Sequence, residues 1–309
     1  LFPVLYTIVI KENIHKYVAS FLLAITITEI LSYLIWFEII EPFKNATVYN
    51  PTPFMSHISY NPILAFAIYI VLHRLMIQRD IGKIQMFLYG FFGFSMSINM
   101  FITGGRAGQV GFFVILSVLI FQFFNLSKIK SLIMIFFTTL FVFFSAYQLS
   151  TIFSDRVDAG YTNFKNYSHD MEIKKITSIG SRLTFSINSI EMIKKNPFLG
   201  VGTGDFPDEY KKINMTNTPH MNNVTNPHNM YTLVTAQLGL MGLISFLSVF
   251  YFQIKIALHS KNNLLRDVGV ALPLLFLVIM LSDSYLLGHF TTLMFIFFSS
   301  FLYRDFEHN

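Results

Sequence analysis

A histidine and two arginines are the residues of this chain whose types and settings best suit chemistry. His228 stands in Asn-Pro-His-Asn-Met-Tyr, residues 226–231, after a long polar segment and just before an apolar run. Arg106 lies among glycines in the short segment 104–108, and Arg182 opens a predicted helix. An imidazole can accept a proton from a hydroxyl, and a guanidinium matches phosphate oxygens with two parallel hydrogen bonds. We interpret the three residues as parts of one active site.

Each of these residues also has a simpler interpretation. Arg106 could reach the membrane surface and set topology, Arg182 could be a solvated charge, and His228 could be a polar residue at a helix end. Against this, Arg106 falls on the side where the topology below disfavours positive charge, and its flanking glycines would let a ligand approach the backbone closely. Asp283 lies near the end of a predicted span, where it could orient His228, pair with an arginine or cap the helix end.

The composition is that of a membrane protein. Of the 309 residues 53% are hydrophobic and only 13% are charged, whereas soluble domains carry about a quarter charged residues. The basic residues mostly lie in short loops between apolar runs, so the pI near 9.2 does not indicate nucleic-acid binding. The lack of cysteine excludes disulfides and thiolate chemistry. No spacing such as His-Glu-x-x-His predicts a metal site.

Eight apolar segments approach the length that spans a bilayer, about 20 residues. They are residues 17–40, 58–77, 84–103, 107–124, 131–149, 229–254, 267–283 and 286–303. Residues 1–10 are typical of the end of a further span and begin with Leu, so we expect an N-terminal truncation. The predicted fold class is an all-α integral membrane protein, a polytopic bundle of about 8–9 transmembrane helices with one large, partly helical loop.

The lysines and arginines of the connections predict an orientation. Eleven lie in one set of alternate loops, and two lie in the short loops of the other set, Lys44 and Arg106. Because positive charge accumulates on the cytoplasmic side, the second set faces outward. The predicted parts are N-terminal membrane helices over 1–149, a periplasmic loop over 150–227 and C-terminal membrane helices over 228–309.

The long loop has predicted structure of its own. Ser181 is a candidate N-cap for a helix over 182–196, which Pro197 ends. Four apolar residues fall near one face of this helix, which could lie flat on the bilayer or pack on the bundle: Leu183, Ile187, Ile190 and Ile193. Residues 200–204, Gly-Val-Gly-Thr-Gly, predict a tight turn and not a nucleotide site, because no Walker lysine or βαβ unit accompanies them.

Taken together, these pieces resemble the O-antigen ligase and polymerase superfamily of bacterial envelope enzymes. Residues 103–108, Thr-Gly-Gly-Arg-Ala-Gly, are similar to its Ser/Thr-x-x-Arg-Gly turn between two spans. The stretch 182–202 is similar to its arginine, hydrophobic helix and Pro-Leu-x-Gly-x-Gly segment. Residues 227–231 with 237–243 are similar to its Pro-His-Asn-x-(Tyr/Phe) and Glu-x-Gly-x-x-Gly signature.

Two residues depart from the family pattern. Gln237 stands where Glu is commoner, and Phe198 where Leu is commoner. Neither carries a group to which we assign chemistry. The resemblance implies glycan transfer outside the cell membrane, from undecaprenyl pyrophosphate to an acceptor hydroxyl. In the ligases the acceptor is a sugar of lipid A–core, in the polymerases the end of another lipid-linked repeat unit, and in a further branch a protein Ser or Thr.

The resemblance also implies residue roles and partners. His228 is the expected base, and Arg106 and Arg182 are expected to hold the pyrophosphate without a metal or other cofactor. The residues expected to bind substrate are Gly105, Gly202, Asn229, Tyr231 and Asp283. The expected partners are the lipid-linked donor, a lipid A–core or glycan acceptor and membrane lipids, but no nucleic acid. The expected location is the bacterial inner membrane, with the active site facing the periplasm.

Alternatives from the same and from other classes stay open. We favour ligase over polymerase because the histidine-containing signature is complete. A transporter or flippase would show charged or broken helices at mid-membrane and repeat symmetry. We find no such pattern, since most ionisable residues lie at span ends, with Glu29 and Glu38 the exceptions. A non-catalytic scaffold would leave Arg106, Arg182 and His228 on one side as a coincidence.

Overall fold

The apolar segments form the helices that the sequence predicts. A computed structural model of the chain describes residues 1–44, 46–77, 81–124, 128–166 and 178–304. Within these residues the regular structure is helical, apart from one isolated bridge between Thr47 and Asn50. The predicted all-α fold class is therefore confirmed.

Twelve α-helices follow one another along the described residues. They are α1 (Phe2–Ile8), α2 (Ile14–Trp36), α3 (His57–Ile77), α4 (Lys83–Ile102), α5 (Arg106–Phe124), α6 (Lys128–Leu149), α7 (Thr151–Asn166), α8 (Ser178–Lys195), α9 (Phe206–Asn217), α10 (Met230–His259), α11 (Asn263–Ile279) and α12 (His289–Leu302). Six of them are long and apolar enough to cross a membrane, namely α2 to α6 and α10. The last two predicted spans correspond to shorter helices, α11 with 17 residues and α12 with 14.

The helices fall into two compact units, of which the first contains α1 to α6. Unit one consists of Leu1–Asp155, Ile254–Val278 and Gly288–Asn309. Helix α3 is its centre, because every side chain from Tyr60 to Val71 is buried. A helix that is buried on all sides is the core of a bundle, and α3 packs against both α4 and α5. The residues at the start of α3 can therefore set the position of the α4–α5 connection.

Unit two consists of Arg156–Gln253 and Ile279–Leu287. Its hydrophobic core lies between α8, α9 and the first part of α10. Phe206 and Tyr210 lie one turn apart on α9, fully buried, with ring centroids 5.6 Å apart. Asn188 of α8 donates its Nδ2–H to the Tyr210 hydroxyl at 3.2 Å. This core fixes α8 and α9 against α10.

Helix α8 begins earlier than predicted, and polar as well as apolar residues form its buried face. It begins at Ser178, so Ser181 lies inside the helix and is not its N-cap. Of the apolar face, for which the sequence left contact with the bilayer or with the bundle open, Ile187 and Ile190 are about half exposed, whereas Ile193 packs against the core of unit two. The buried face instead carries Thr184, Phe185, Asn188, Ser189 and Met192. Its polar side chains are satisfied by hydrogen bonds, as where Ser189 Oγ donates to the carbonyl of Phe185 at 2.7 Å, so apolar residues alone do not identify the buried face.

Helix α10 is broken at Gly239, where φ is 66° and ψ is −167°. The sequence showed no sign of a helix broken at mid-membrane, and it did not predict this break. The segment 197–202 lies in the break and pairs with both sides of it. After the break, the amides of Leu240 and Met241 donate to the carbonyls of Pro197 and Phe198 at 2.8 and 3.4 Å. Before the break, the carbonyls of Ala236 and Gln237 accept the amides of Val201 and Gly202, both at 2.9 Å. The groups that the helix break would leave unpaired are thus satisfied.

Two glycines make this backbone pairing possible. A Cβ atom on Gly239 would overlap the backbone of Phe198, and one on Gly200 would overlap the backbone of Gln237. Both glycines also have positive φ, of 66° and 69°, which side chains disfavour. The glycine pattern at 200–202 and 239 therefore serves contact between two chain segments.

We expect Gly239→Ala to destabilise the protein far more than Gly204→Ala. Gly204 also has positive φ, 97°, but its Cβ position is open, so its substitution costs only the backbone term, about 1–2 kcal/mol. At Gly239 the clash with Phe198 adds about 1–3 kcal/mol. Thermal unfolding of the purified protein in detergent measures both variants. Equal unfolding midpoints would show that the close contact contributes nothing.

Candidate active site

His228 and Asp283 are in direct contact within unit two. The Nδ1 atom of His228 lies 3.0 Å from Oδ1 of Asp283. Asp283 belongs to the link between α11 and α12, 55 residues further along the chain. Orientation of the histidine was one of three roles predicted for this carboxyl, and the contact has the geometry that this role requires.

A tight turn holds the backbone of His228. Oδ1 of Asn226 accepts the backbone N–H of His228 at 2.9 Å and the hydroxyl of Ser284 at 2.8 Å. An Asn side chain bonded to the amide two residues on forms an Asx turn. The backbone of His228 is left-handed, with φ of 55°. Such strained residues persist only where their surroundings fix them, and they cluster at functional sites.

Pro227 favours a helix that starts at His228, and the sequence therefore predicts His228 on the first turn of α10. This prediction is wrong, because His228 lies before the helix. The helix begins at Met230. Asn229 is its cap, because its Oδ1 accepts the N–H of Thr232 at 3.0 Å. Its Nδ2 donates to the carbonyl of Leu281 at 2.9 Å, which ties the cap to the link between α11 and α12. Side-chain contacts, and not a helical turn, therefore orient the histidine.

The electrostatics of Asp283 assign the proton on the imidazole. Burial opposes ionisation of this carboxyl, but hydrogen bonds from His228 and from the N–H of Ser284, together with the charge of Arg182, outweigh burial and lower its pKa. A carboxylate only accepts hydrogen bonds, so Nδ1 of His228 carries the shared proton. In the neutral ring, Nε2 is then the nitrogen that can take a proton from a hydroxyl.

Helix α8 adds an arginine and an aromatic ring to this pair. Nη2 of Arg182 lies 3.6 Å from Oδ2 of Asp283, the distance of an ion pair and too long for a hydrogen bond. Phe185, three residues on and so on the same face, has its ring centroid 6.2 Å from that of His228. The side chains of Arg182 and His228 are 37% and 39% exposed, and that of Asp283 only 17%. A partly buried carboxylate thus supports two reachable groups, a base and a cation.

Arg106 is placed by a different set of contacts, in unit one. It is the first residue of α5, so the predicted glycine turn covers only the residues before it. The amide of Gly104 donates to Oδ1 of Asn50 at 3.0 Å. Asn61 of α3, fully buried, donates to the carbonyl of Gly105 at 3.3 Å and accepts the hydroxyl of Thr103 at 2.7 Å. The side chain of Asn61 therefore holds the turn from which Arg106 projects.

The glycines around Arg106 are required by close packing against α3. A Cβ on Gly105 would meet the carbonyl of His57 and the side chain of Asn61, and one on Gly108 would overlap the backbone of Asn61. Gly105 and Gly108 therefore let α5 start directly against α3. We had proposed that they admit a ligand, and the contacts supply a packing reason for the same residues.

The predicted site residues belong to two different units. Arg182, His228 and Asp283 come together in unit two, whereas Arg106 belongs to unit one. The expectation that all three basic residues line one cavity stays a prediction. Tyr231 packs its ring edge-on against Phe246, with centroids 6.4 Å apart. Substrate binding by Tyr231 and by the other four predicted residues stays a prediction too: Gly105, Gly202, Asn229 and Asp283.

Four residues that support the site were absent from our prediction. Asn226 and Ser284 position His228 and Asp283 through hydrogen bonds, Phe185 packs near the imidazole, and Asn61 holds the turn before Arg106. Asn226 had a signal, because Asn before Pro favours a turn that its own side chain completes. The other three depend on contacts between distant parts of the chain.

The fold and the site together indicate a class of protein. A polytopic helical membrane protein that pairs a histidine with an aspartate, next to an arginine, fits a membrane group-transfer enzyme. A family model described as O-antigen ligase matches residues 91–247, just over half of the chain, and the chain belongs to this family. The matched region contains Arg106, Arg182 and His228 but not Asp283. No curated protein matches the chain.

Family membership confirms the resemblance found in the sequence. It supports a membrane glycosyltransferase of the O-antigen ligase or polymerase type, which acts on lipid-linked glycans. The apolar helices and the family together indicate a multi-pass membrane protein.

The lowered pKa of Asp283 predicts how its contribution to stability depends on pH. A carboxyl whose pKa falls on folding stabilises the protein above its pKa in the unfolded chain, and this contribution is lost as the pH falls through the lowered value. Asp283→Asn removes the carboxylate, so the variant should unfold at a lower temperature than the wild type at neutral pH. The difference should shrink as the pH falls below about 4.

Thermal unfolding between neutral pH and acid measures this difference. Asp208→Asn, the same chemical change at an exposed position of unit two, is the matched control and should leave the neutral-pH midpoint near that of the wild type. If the difference in unfolding temperature between Asp283→Asn and the wild type stayed constant down to the lowest pH, the stabilising contact of an ionised Asp283 would be contradicted.

Proposed function

We propose that the protein moves a glycan from undecaprenyl pyrophosphate to a sugar hydroxyl, and that it acts as an O-antigen ligase joining O-antigen to lipid A–core on the periplasmic face. The observation that carries this proposal is the contact of His228 with Asp283 at 3.0 Å, beside Arg182. A base oriented by a partly buried carboxylate is suited to activating a hydroxyl. Membership of the O-antigen ligase family supports a lipid-linked glycan as the donor.

His228 acts as the general base in the proposed reaction. Its Nε2 accepts the proton of the acceptor hydroxyl, and the hydroxyl oxygen forms a bond to the anomeric carbon of the donor. The bond from that carbon to the pyrophosphate oxygen breaks, and its electron pair leaves with undecaprenyl pyrophosphate. Asp283 stabilises the imidazolium that forms. Such base catalysis contributes about 10²–10⁴ in rate.

The arginines stabilise the charge of the leaving pyrophosphate. The guanidinium of Arg182 has five N–H donors in a planar fork, and one of its nitrogens faces Asp283. The remaining donors suit phosphate oxygens. Arg106 is proposed to bind the same group from the start of α5, where a helix N-terminus also favours an anion. With two guanidinium groups in these roles the reaction needs no metal ion, and the activated donor supplies the energy.

A polymerase of the same superfamily is the nearest alternative, because both reactions use the same donor chemistry and differ in the acceptor. A transporter is less well supported. The broken helix α10 is a feature that transporters use to bind substrate, but here the segment 197–202 already pairs with the groups at the break. The break therefore has a packing explanation.

Complementation with His228→Asn in cells that lack the native enzyme tests the catalytic role. Asn tolerates the left-handed backbone of residue 228, so this variant removes the base and keeps the turn. With the protein at normal level in the membrane, we expect loss of long glycan on lipid A–core and accumulation of lipid-linked polymer, read on a lipopolysaccharide gel. His220→Asn, at an exposed histidine of the same loop, should leave the glycan unchanged.

The gel also separates the alternatives. Single-repeat glycan on the core would indicate a polymerase. Normal glycan with His228→Asn would overturn the catalytic assignment, and normal glycan in the deletion host itself would overturn the ligase function.

Arg182→Lys keeps the positive charge and removes the planar fork. We expect kcat/KM for transfer from a lipid-linked donor to fall roughly 10- to 150-fold, which corresponds to loss of about 1.5–3 kcal/mol of charged hydrogen bonding. The purified protein in vesicles gives this value. Arg156→Lys, the same change elsewhere in unit two, is the control. Equal kcat/KM values for the two variants would exclude bidentate hydrogen bonding of Arg182 to a phosphate group.

A further inference from the structure

Three strongly exposed apolar side chains of unit two lie where α10 is broken. Phe198 and Leu199 are 66% and 79% exposed, and Met241, whose amide bonds to the carbonyl of Phe198, is 60% exposed. Hydrogen bonds hold the backbone of residues 197–202 against α10. The side chains of Phe198 and Leu199 therefore project from a backbone whose position is fixed. A rigid cluster of large apolar side chains marks a surface that contacts an apolar partner.

The surroundings of α10 change at the same point. Before Gly239 several of its side chains are buried in the core of unit two, as Leu233 and Ala236 show, although Leu238 is already 41% exposed. After it many apolar side chains are exposed: Leu240, Met241, Ile244, Leu247, Val249, Tyr251, Phe252, Ile256 and Leu258. This second part, from 240 to 259, is about 30 Å long by helical rise, which equals the thickness of the hydrocarbon core.

We propose that the bilayer surface meets unit two at the Gly239 break, and that Phe198 and Leu199 insert among the lipid acyl chains there. We assign lipid as the partner because of the part of α10 that follows the break. That part is long and apolar enough to cross the membrane, and its first residues are hydrogen-bonded to the segment that carries Phe198 and Leu199. The proposal does not depend on the reaction that the protein catalyses.

The adjoining end of α8 has the charge pattern that this placement requires. Ile187, Ile190 and Lys194 recur at the spacing of one helix face, and Lys195 follows; all four side chains are exposed. Lysines at a membrane surface keep their stems among apolar groups and their ammonium groups with the lipid phosphates. The exposed isoleucine face, which does not pack within unit two, then lies along the bilayer.

This placement fixes the height of the candidate site. The part of α10 between the cap at Asn229 and the break comprises Met230 to Leu238, which rises about 14 Å. The lipid headgroup layer is about 5–8 Å thick on each side. The first part of α10 is therefore long enough to hold His228 beyond the headgroups.

A spin label at position 199 tests the proposal. The chain has no cysteine, so Leu199→Cys gives a single labelling site without other changes, and Leu199 is too exposed for its loss to affect packing. The labelled, full-length protein is reconstituted in vesicles of phosphatidylethanolamine and phosphatidylglycerol. We expect the label to collide often with oxygen, which concentrates in the hydrocarbon, and rarely with a water-soluble nickel chelate.

Met215→Cys is the matched control, because Met215 is an apolar residue of α9 that is 64% exposed. A label there should collide mainly with the nickel chelate. If label 199 also collides mainly with the chelate, the segment lies in water and the proposal is wrong. Dipolar coupling between labels at 199 that disappears on dilution into more lipid would show that a second copy of the chain covers this surface, which also overturns it. Phe198→Cys repeats the test at the neighbouring residue.

Discussion

Backbone hydrogen bonding across the Gly239 break is the interaction on which unit two depends. A break in a helix leaves backbone amides and carbonyls that must find other partners. Each group left unpaired away from water costs several kcal/mol of folding free energy, which is roughly what burial of one large side chain contributes. Residues 197–202 supply those partners. Because this segment follows α8 directly, the pairing that repairs α10 also fixes where α8 ends. Arg182 and Phe185 are consequently held near His228, which precedes α10.

The histidine in turn depends on a carboxylate that is shared. Asp283 accepts from the imidazole and from a backbone amide, and it pairs with the guanidinium. A group with partners on three chain segments cannot change without affecting all of them. The strained backbone of His228 is held at two points, because Asn226 accepts its backbone N–H and Asp283 accepts the N–H of its ring.

The helices and their approximate ends were predictable from the sequence. Long apolar runs in a chain with few charged residues are typical of membrane-spanning helices. The pairing of His228 with Asp283 was foreseen as one of several options. The buried face of α8, the break in α10 and the support of the arginine turn by Asn61 were not foreseen. Each depends on how closely two distant backbones approach, and neither periodicity nor residue type reports that distance. The glycines were visible in the sequence, but a glycine alone does not identify the segment that it faces.

The sequence separation of the two central residues has a consequence for biogenesis. His228 leaves the ribosome 55 residues before Asp283, and α11 must form between them. Until that later stretch is synthesised, the carboxylate that orients the imidazole does not exist in the nascent chain, and neither do the carbonyls of Met280 and Leu281 that bind the start of α10. The contact that orients His228 therefore forms only after the link between α11 and α12 has been synthesised.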